Sequence, residues 1–211
     1  MPRVLTTEDL ADFREKLISA ATRIFAEKGR EGFTMREVAA ELGVSAMTPY
    51  RYFKDKDEIL AAVRTNAFDR FAAALEAAFS RKGDARARGG AVGDAYVSFA
   101  LSESASYRLM FDMSQPDEAS YPELVRASAR ARSTMTDYVR GLVDAGVLAG
   151  DPVLIGHVFW AALHGAVVLQ LAGKLGEECS FDTICREAFR ALSAGFAPTK
   201  NDAKRSPSRI A

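Results

Sequence analysis

Cysteine is scarce in this sequence: two residues, Cys179 and Cys185, in a chain of 211. That excludes a disulfide-stapled secreted scaffold and leads us to expect free thiols in a reducing cytoplasm. Spaced six apart on a helix, the two thiols face different ways and make a poor metal pair. A leader pattern is lacking too, since residues 1–5 carry one arginine and no apolar run of the kind a secretory signal needs. Charge of one sign is absent, with Lys plus Arg equal to Asp plus Glu at 28 each, so bulk charge selects no partner. Neither an alternating strand pattern nor an Asn-Gly hairpin signal occurs. HExxH, a glycine-rich phosphate loop and GxSxG are all missing, so we expect no enzyme, no catalytic residue and no cofactor. Long uncharged runs are rare: one stretch, "VLIGHVFWAALHGAVVLQLAG" (153–173), has no Asp, Glu, Lys or Arg. It is long enough to cross a bilayer. His157, His164 and Gln170 lie within it, and polar side chains are costly in lipid, so we expect a helix buried in a soluble bundle and no membrane.

What is present is helical. The composition, 48% hydrophobic and 27% charged, is that of a globular chain. Phe13, Leu17, Ala21, Ile24 and Phe25 form the apolar stripe of a first helix that Gly29 should end. Thr34, with Glu37 three residues on, is a capping box, and Phe33 with Val38 fills the staple positions around it. Met35, Val38, Ala39 and Leu42 carry that second helix to Gly43, which suits the left-handed turn after a helix. A third helix should start at a cap provided by Ser45 or Thr48, with Pro49 in its first turn. Asp55 with Glu58 opens a fourth, running to about Ser80. "RKGDARARGG" (81–90) reads as a loop. Helices follow over about 91–102 and 106–113, from Pro122 to a stop at Gly146, from the Asp151-Pro152 cap through the apolar run, and from Ser180 to about Gly195. The tail after Pro198 is polar and reads as disordered.

The segment that carries function is "LGVSAMTPYRYFKDK" (42–56). Two helices joined across Gly43 make a helix-turn-helix, with Ala39 small enough for a close crossing. The later helix of such a motif enters the major groove with its first residues on base edges. Those are Ala46, Met47 and Thr48, whose methyl groups suit thymine methyls. Arg36 can reach a guanine, while Thr34, Tyr50, Tyr52 and Lys56 can hold phosphates. Packing is the alternative role for Tyr50 and Tyr52, and Phe53 belongs to the core. Over 34–56 the bases Arg36, Arg51, Lys54 and Lys56 stand against Glu37, Glu41 and Asp55, 4 − 3 = +1, so charge alone does not mark a nucleic-acid surface.

Residues 20–63, "AATRIFAEKGREGFTMREVAAELGVSAMTPYRYFKDKDEILAAV", resemble the DNA-binding region of the tetracycline-repressor (TetR) family of bacterial transcription regulators. The resemblance carries Thr34, Tyr50, Tyr52 and Lys56 over as phosphate contacts, and Arg36, Ala46, Met47 and Thr48 as base-facing positions. Trp160, His164 and Gly165 in "FWAALHGAVVLQLAGKL", with "SYRLMFD" (106–112), are similar to the subgroup named for a Trp-His-Gly pattern (WHG domain). It implies an all-α homodimer in which the last two long helices pair with their copies. A three-helix DNA-binding domain over 1–55 would precede a ligand-binding and dimerisation domain over 56–197 and a tail over 198–211. The implied function is a cytoplasmic repressor that binds double-stranded DNA at a palindromic operator and is released by a small, largely apolar effector. Pocket candidates under that reading are Phe68, Phe71, Tyr96, Phe99, Tyr107, Phe111, Trp160 and His164. Aromatics at helical spacing also serve as core. A helical dimer that binds small molecules without reading DNA is the alternative.

Overall fold

The computed structural model describes residues 6–111 and 117–199. Residues 1–5, the expected end of the helix at Met113 and most of the 198–211 tail lie outside them. Every regular element among the described residues is helical, as the absence of strand patterning requires. The α-helices are α1 (Thr7–Gly32), α2 (Met35–Glu41), α3 (Lys56–Phe79), α4 (Ala85–Ser102), α5 (Ser104–Met110), α6 (Pro122–Asp144), α7 (Pro152–Leu171) and α8 (Phe181–Gly195). Short 3-10 turns occupy Pro49–Arg51 and Glu118–Ser120.

The chain forms two compact units. The first comprises residues up to Arg70 together with Glu103–Ala129, and the second Phe71–Ser102 with the chain from Arg130 onward. Helices α3 and α6 each start in the first unit and finish in the second.

In the first unit, α1 begins with a capping box. The Thr6 hydroxyl accepts the Asp9 N–H at 3.1 Å, and the Asp9 carboxylate accepts the Thr6 N–H at 2.9 Å. Gly29 has φ +65° and kinks α1, which resumes as far as Gly32. The expected stop is therefore a bend inside the helix. Leu17, Ile24, Phe33, Val38, Phe53 and Ile59 close the core of this unit, joined by Leu109 from α5. Removing a ring as buried as Phe53, about 1% exposed, costs about 3–5 kcal/mol in comparable cores.

In the second unit, Phe71, Leu75, Tyr96, Val139, Ile155 and Val167 are buried. The expected loop over 81–90 is corrected by the structure, because α4 starts at Ala85. Asp84 caps it, accepting the Ala87 N–H at 2.8 Å, and that cap outweighs the helix-weakening glycines that follow. Other boundaries fall where their caps put them. Gly146 takes φ +68° at the end of α6. Asp151 accepts the Val153 N–H ahead of Pro152, and Ser180 accepts the Thr183 N–H. Where α7 crosses α6, a Cβ at Gly156 would stand 3.3 Å from the Met135 carbonyl, so only glycine fits without a shift.

Candidate nucleic-acid interface

Helix α2 is fixed at both ends by its own sequence. The Thr34 hydroxyl accepts the Glu37 N–H at 3.2 Å and donates to the Glu37 carboxylate at 2.9 Å, and that carboxylate also accepts the Thr34 N–H at 3.0 Å. Gly43 takes φ +63°, and the N–H groups of Gly43 and Val44 turn back to the carbonyls of Ala40 and Ala39. This αL closure sets the turn of the motif.

The third helix departs from expectation. It is a 3-10 turn over Pro49–Arg51, preceded by a turn at Ala46 and Met47 and a bend at Thr48. Pro49 has no N–H to give to Ser45, and the Ser45 carbonyl takes the Thr48 N–H instead, at 2.8 Å. Of the two candidate caps, Ser45 accepts the Met47 N–H at 3.4 Å. Thr48 already has helical dihedrals and makes no side-chain cap bond.

The side chains proposed for DNA occupy distinct environments within this unit. Met47 is 67% exposed and Tyr50 46%, and Arg36 and Ala46 are also exposed, while Thr48 is half-buried. The Tyr52 ring packs on Phe13 with centroids 5.2 Å apart. The Lys56 ammonium donates to the Arg30 carbonyl and lies 5.8 Å from the Phe33 ring centroid, leaving two of its protons for another acceptor.

Ion pairing changes the electrostatics that the sequence suggested. Glu37 pairs with Lys28 and Glu41 with Arg23, both bases on α1. The Lys28 ammonium, with the Thr34 hydroxyl, holds the Glu37 carboxyl below its ordinary value. Asp55 caps α3 by accepting the Glu58 N–H at 2.9 Å. The net charge over 34–56 stays 4 − 3 = +1, but two of its three acids are engaged by bases of α1, and Asp55 is the one acid of the segment with no ion pair among the described residues. Arg51 and Lys54, next to Tyr50 and Tyr52 in the chain, are exposed. No ion pair to Arg36, Arg51 or Lys54 occurs among the described residues.

The eight aromatic and histidine pocket candidates fall into both units. In the first, Phe68 and Tyr107 pack on Phe111 at 5.9 and 5.0 Å between centroids. In the second, Phe71 packs on Tyr96 and on Phe99 at 5.1 Å each. The Trp160 Nε1–H donates to the Tyr96 hydroxyl at 3.1 Å, and that hydroxyl lies 3.4 Å from His164 Nδ1. Burial holds the His164 imidazole below its ordinary value. The second unit also contains a cavity of about 650 Å³ between α4, α6, α7 and α8, and none of the eight candidates borders it. Phe99 borders a separate hollow of about 400 Å³ along α3 and α4. The described residues contain no cluster of His, Cys, Asp and Glu able to hold a metal ion.

A capped short helix, a glycine turn and exposed bases in the segment that follows are the parts of a helix-turn-helix. The chain belongs to the tetR family of bacterial regulatory proteins. Residues 17–63 match the model of that family's N-terminal region, and residues 90–195 match a tetracyclin repressor-like C-terminal domain. The HTH-type transcriptional activator FasR of Mycolicibacterium smegmatis is 30% identical over 138 residues, 64% of this chain and 62% of that protein, so the match spans less than two thirds of it. An uncharacterized HTH-type transcriptional regulator of Mycobacterium tuberculosis is 25% identical over 87% of this chain and 81% of its own length. Among solved structures, a protein of unknown function from Rhodococcus sp. RHA1 superposes with a TM-score of 0.77 at 30% identity, covering 88% of this chain and 95% of that one. The TetR family transcriptional regulator PfmR from Thermus thermophilus shares the fold with a TM-score of 0.65 at 20% identity, over 83% and 96% of the two chains.

Proposed function

We propose that this chain is a cytoplasmic transcriptional repressor that binds a palindromic operator as a homodimer and leaves it when a small, largely apolar effector binds. Residues 1–55 read the DNA, residues 56–197 bind the effector and dimerise, and Trp160, His164 and Gly165 mark the Trp-His-Gly subgroup. The observation that carries the DNA reading is that Arg36, Met47, Tyr50, Arg51 and Lys54, all within the capped helix and the segment after its glycine turn, are exposed. Ala46, Met47, Thr48 and Arg36 face bases in this reading, and Thr34, Tyr50, Tyr52 and Lys56 face phosphates. The Thr34 hydroxyl proton is held by Glu37, so Thr34 contributes chiefly by fixing the start of α2.

Helix α7 supports the dimer. Val153, Leu154, Val168 and Leu169 are 45%, 58%, 44% and 45% exposed in the single chain, and α8 has no buried residue. Pro152–Leu171 is also long and apolar enough to cross a membrane. A second copy laid on this face buries the same side chains without lipid.

Selection of the purified protein against a random duplex library, followed by binding against salt, tests the proposal. The expected result is a two-fold symmetric site whose affinity falls steeply with salt as counterions are released. A folded dimer that enriches no sequence would leave the alternative, a small-molecule-binding dimer that does not read DNA. The FasR relative is named an activator, and a reporter gene placed behind the recovered site reads the sign: deletion of the regulator raises expression if it represses.

A further inference from the structure

The 650 Å³ cavity of the second unit is built by glycines that local geometry does not require. Gly89, Gly90 and Gly93 lie within helical α4, where glycine weakens a helix relative to alanine. None of them sits at positive φ, and none is crowded. A Cβ at Gly90 would meet nothing within 4 Å, one at Gly93 only the Phe189 ring at 3.8 Å, and one at Gly89 would meet Leu142 and Tyr138 at 3.5 Å. All are open or ordinary contact distances. What the three share is a place on the cavity wall. The lining includes exposed residues, Gly90 and Asp94 among them, so the cavity is a cleft open to solvent, and a cleft of this size kept at the expense of helix stability points to an occupant.

Helix α8 forms the opposite wall and is anchored through aromatic contacts, with Phe189 and Phe196 lying 5.2 and 6.4 Å from Phe159. The charged groups of the lining cancel, with Arg86 and Arg186 against Asp94 and Asp182, 2 − 2 = 0. The lining therefore has no surplus charge to favour an anion or a cation, and a charged ligand loses its hydration against a mostly apolar wall. The Tyr138 phenol and the Cys185 thiol are both pushed up by burial, so both remain protonated and neutral. With Ser98 and Ser193 they give the wall uncharged hydrogen-bonding groups.

The geometry points to this cavity as the binding site of an uncharged, mostly hydrocarbon molecule of drug-like size, held between the glycine face of α4 and helix α8. The inference rests on the effector reading above and names the place and chemistry of that effector. It is tested on the full-length protein by titration calorimetry with 1-decanol, decanoate and decylammonium. The alcohol is expected to bind, with both ions weaker by about tenfold or more. Gly90→Leu and Gly93→Leu are each expected to weaken alcohol binding by about tenfold or more while the far-UV circular dichroism of α-helix persists. Gly90→Leu meets no neighbour at its Cβ and carries the test should Gly93→Leu not fold.

Equal or tighter binding of either ion overturns the uncharged class. Alcohol binding unchanged in the glycine variants overturns the location, as does an absence of alcohol binding. Glycine variants that lose self-association, with no alcohol bound by the parent, mean that a second copy fills the cavity, and this also overturns it. Operator binding is measured separately. Alcohol binding without an operator sinks the regulator reading alone, and an operator without alcohol binding sinks the cavity alone.

Discussion

The Tyr52 hydroxyl can be removed without removing the Tyr52 ring from its place on Phe13, so packing and recognition separate at this residue. Tyr52→Phe should leave the melting temperature nearly unchanged and weaken binding to all operator variants alike. The loss expected for one charge-assisted hydrogen bond to phosphate is roughly tenfold. Thr48→Ala should instead change the ranking of operator variants in a competition assay. Equal losses from both substitutions across all variants would contradict the contact assignments. At His164 the sign follows from burial, which holds the folded-state value below the ordinary 6.5. The unfolded chain takes up this proton first, so the contribution is fully present above 6.5 and is lost as the pH falls through that value toward the lowered one. Unfolding free energy measured from about pH 7 to about pH 5 should decline, and His164→Asn should reduce the decline. Glu37 and Glu76, held below their ordinary 4.5, act in a more acid range and do not confuse the test.

Among the elements, caps were legible and spacings within helices were not always so. Thr34 with Glu37, Gly43, Asp55 with Glu58, Asp151-Pro152 and Ser180 all act where their side-chain chemistry puts them, because a cap is decided by a few neighbouring residues. The third helix is only a short turn, because the consequence of Pro49 depends on which N–H takes the Ser45 carbonyl. The start of α4 was missed because Gly89 and Gly90 read as loop residues, whereas Asp84 caps a helix that carries them. The large aromatics do not mark the cavity, since rings fill space and glycines leave it. Gly43→Ala isolates the backbone effect, because a Cβ there meets nothing within 4 Å while φ is +63°. A loss of about 1–2 kcal/mol is expected in chemical denaturation, with weaker operator binding alongside. Gly156→Leu tests packing, its side chain colliding with the Met135 carbonyl. It should cost about 1–3 kcal/mol or more.

At the scale of the whole molecule, the charge balance of the sequence does not show which charges are already paired. Glu37 and Glu41, two of the motif's three acids, pair with Lys28 and Arg23 upstream on α1, and that is a tertiary fact no count over the motif can contain. The family, the helical class and the motif were legible because they rest on contiguous residues. The dimer prediction belongs at this scale. Leu154→Glu with Leu169→Glu, both exposed on α7, should shift sedimentation toward the monomer and abolish cooperative occupation of a two-fold site. Unchanged sedimentation would place the contact elsewhere.

The path of the chain has one more consequence. It leaves the first unit inside α3, returns at Glu103 and leaves again inside α6, and Leu109 from the returning segment is buried in the core built around α1. The part that carries the motif is therefore not a detachable bead. A hybrid regulator made by joining residues 1–63 to a foreign sensor would start life with a hole where Leu109 belongs. The seam of a working hybrid has to follow the core, so the graft must carry residues 103–129 with it.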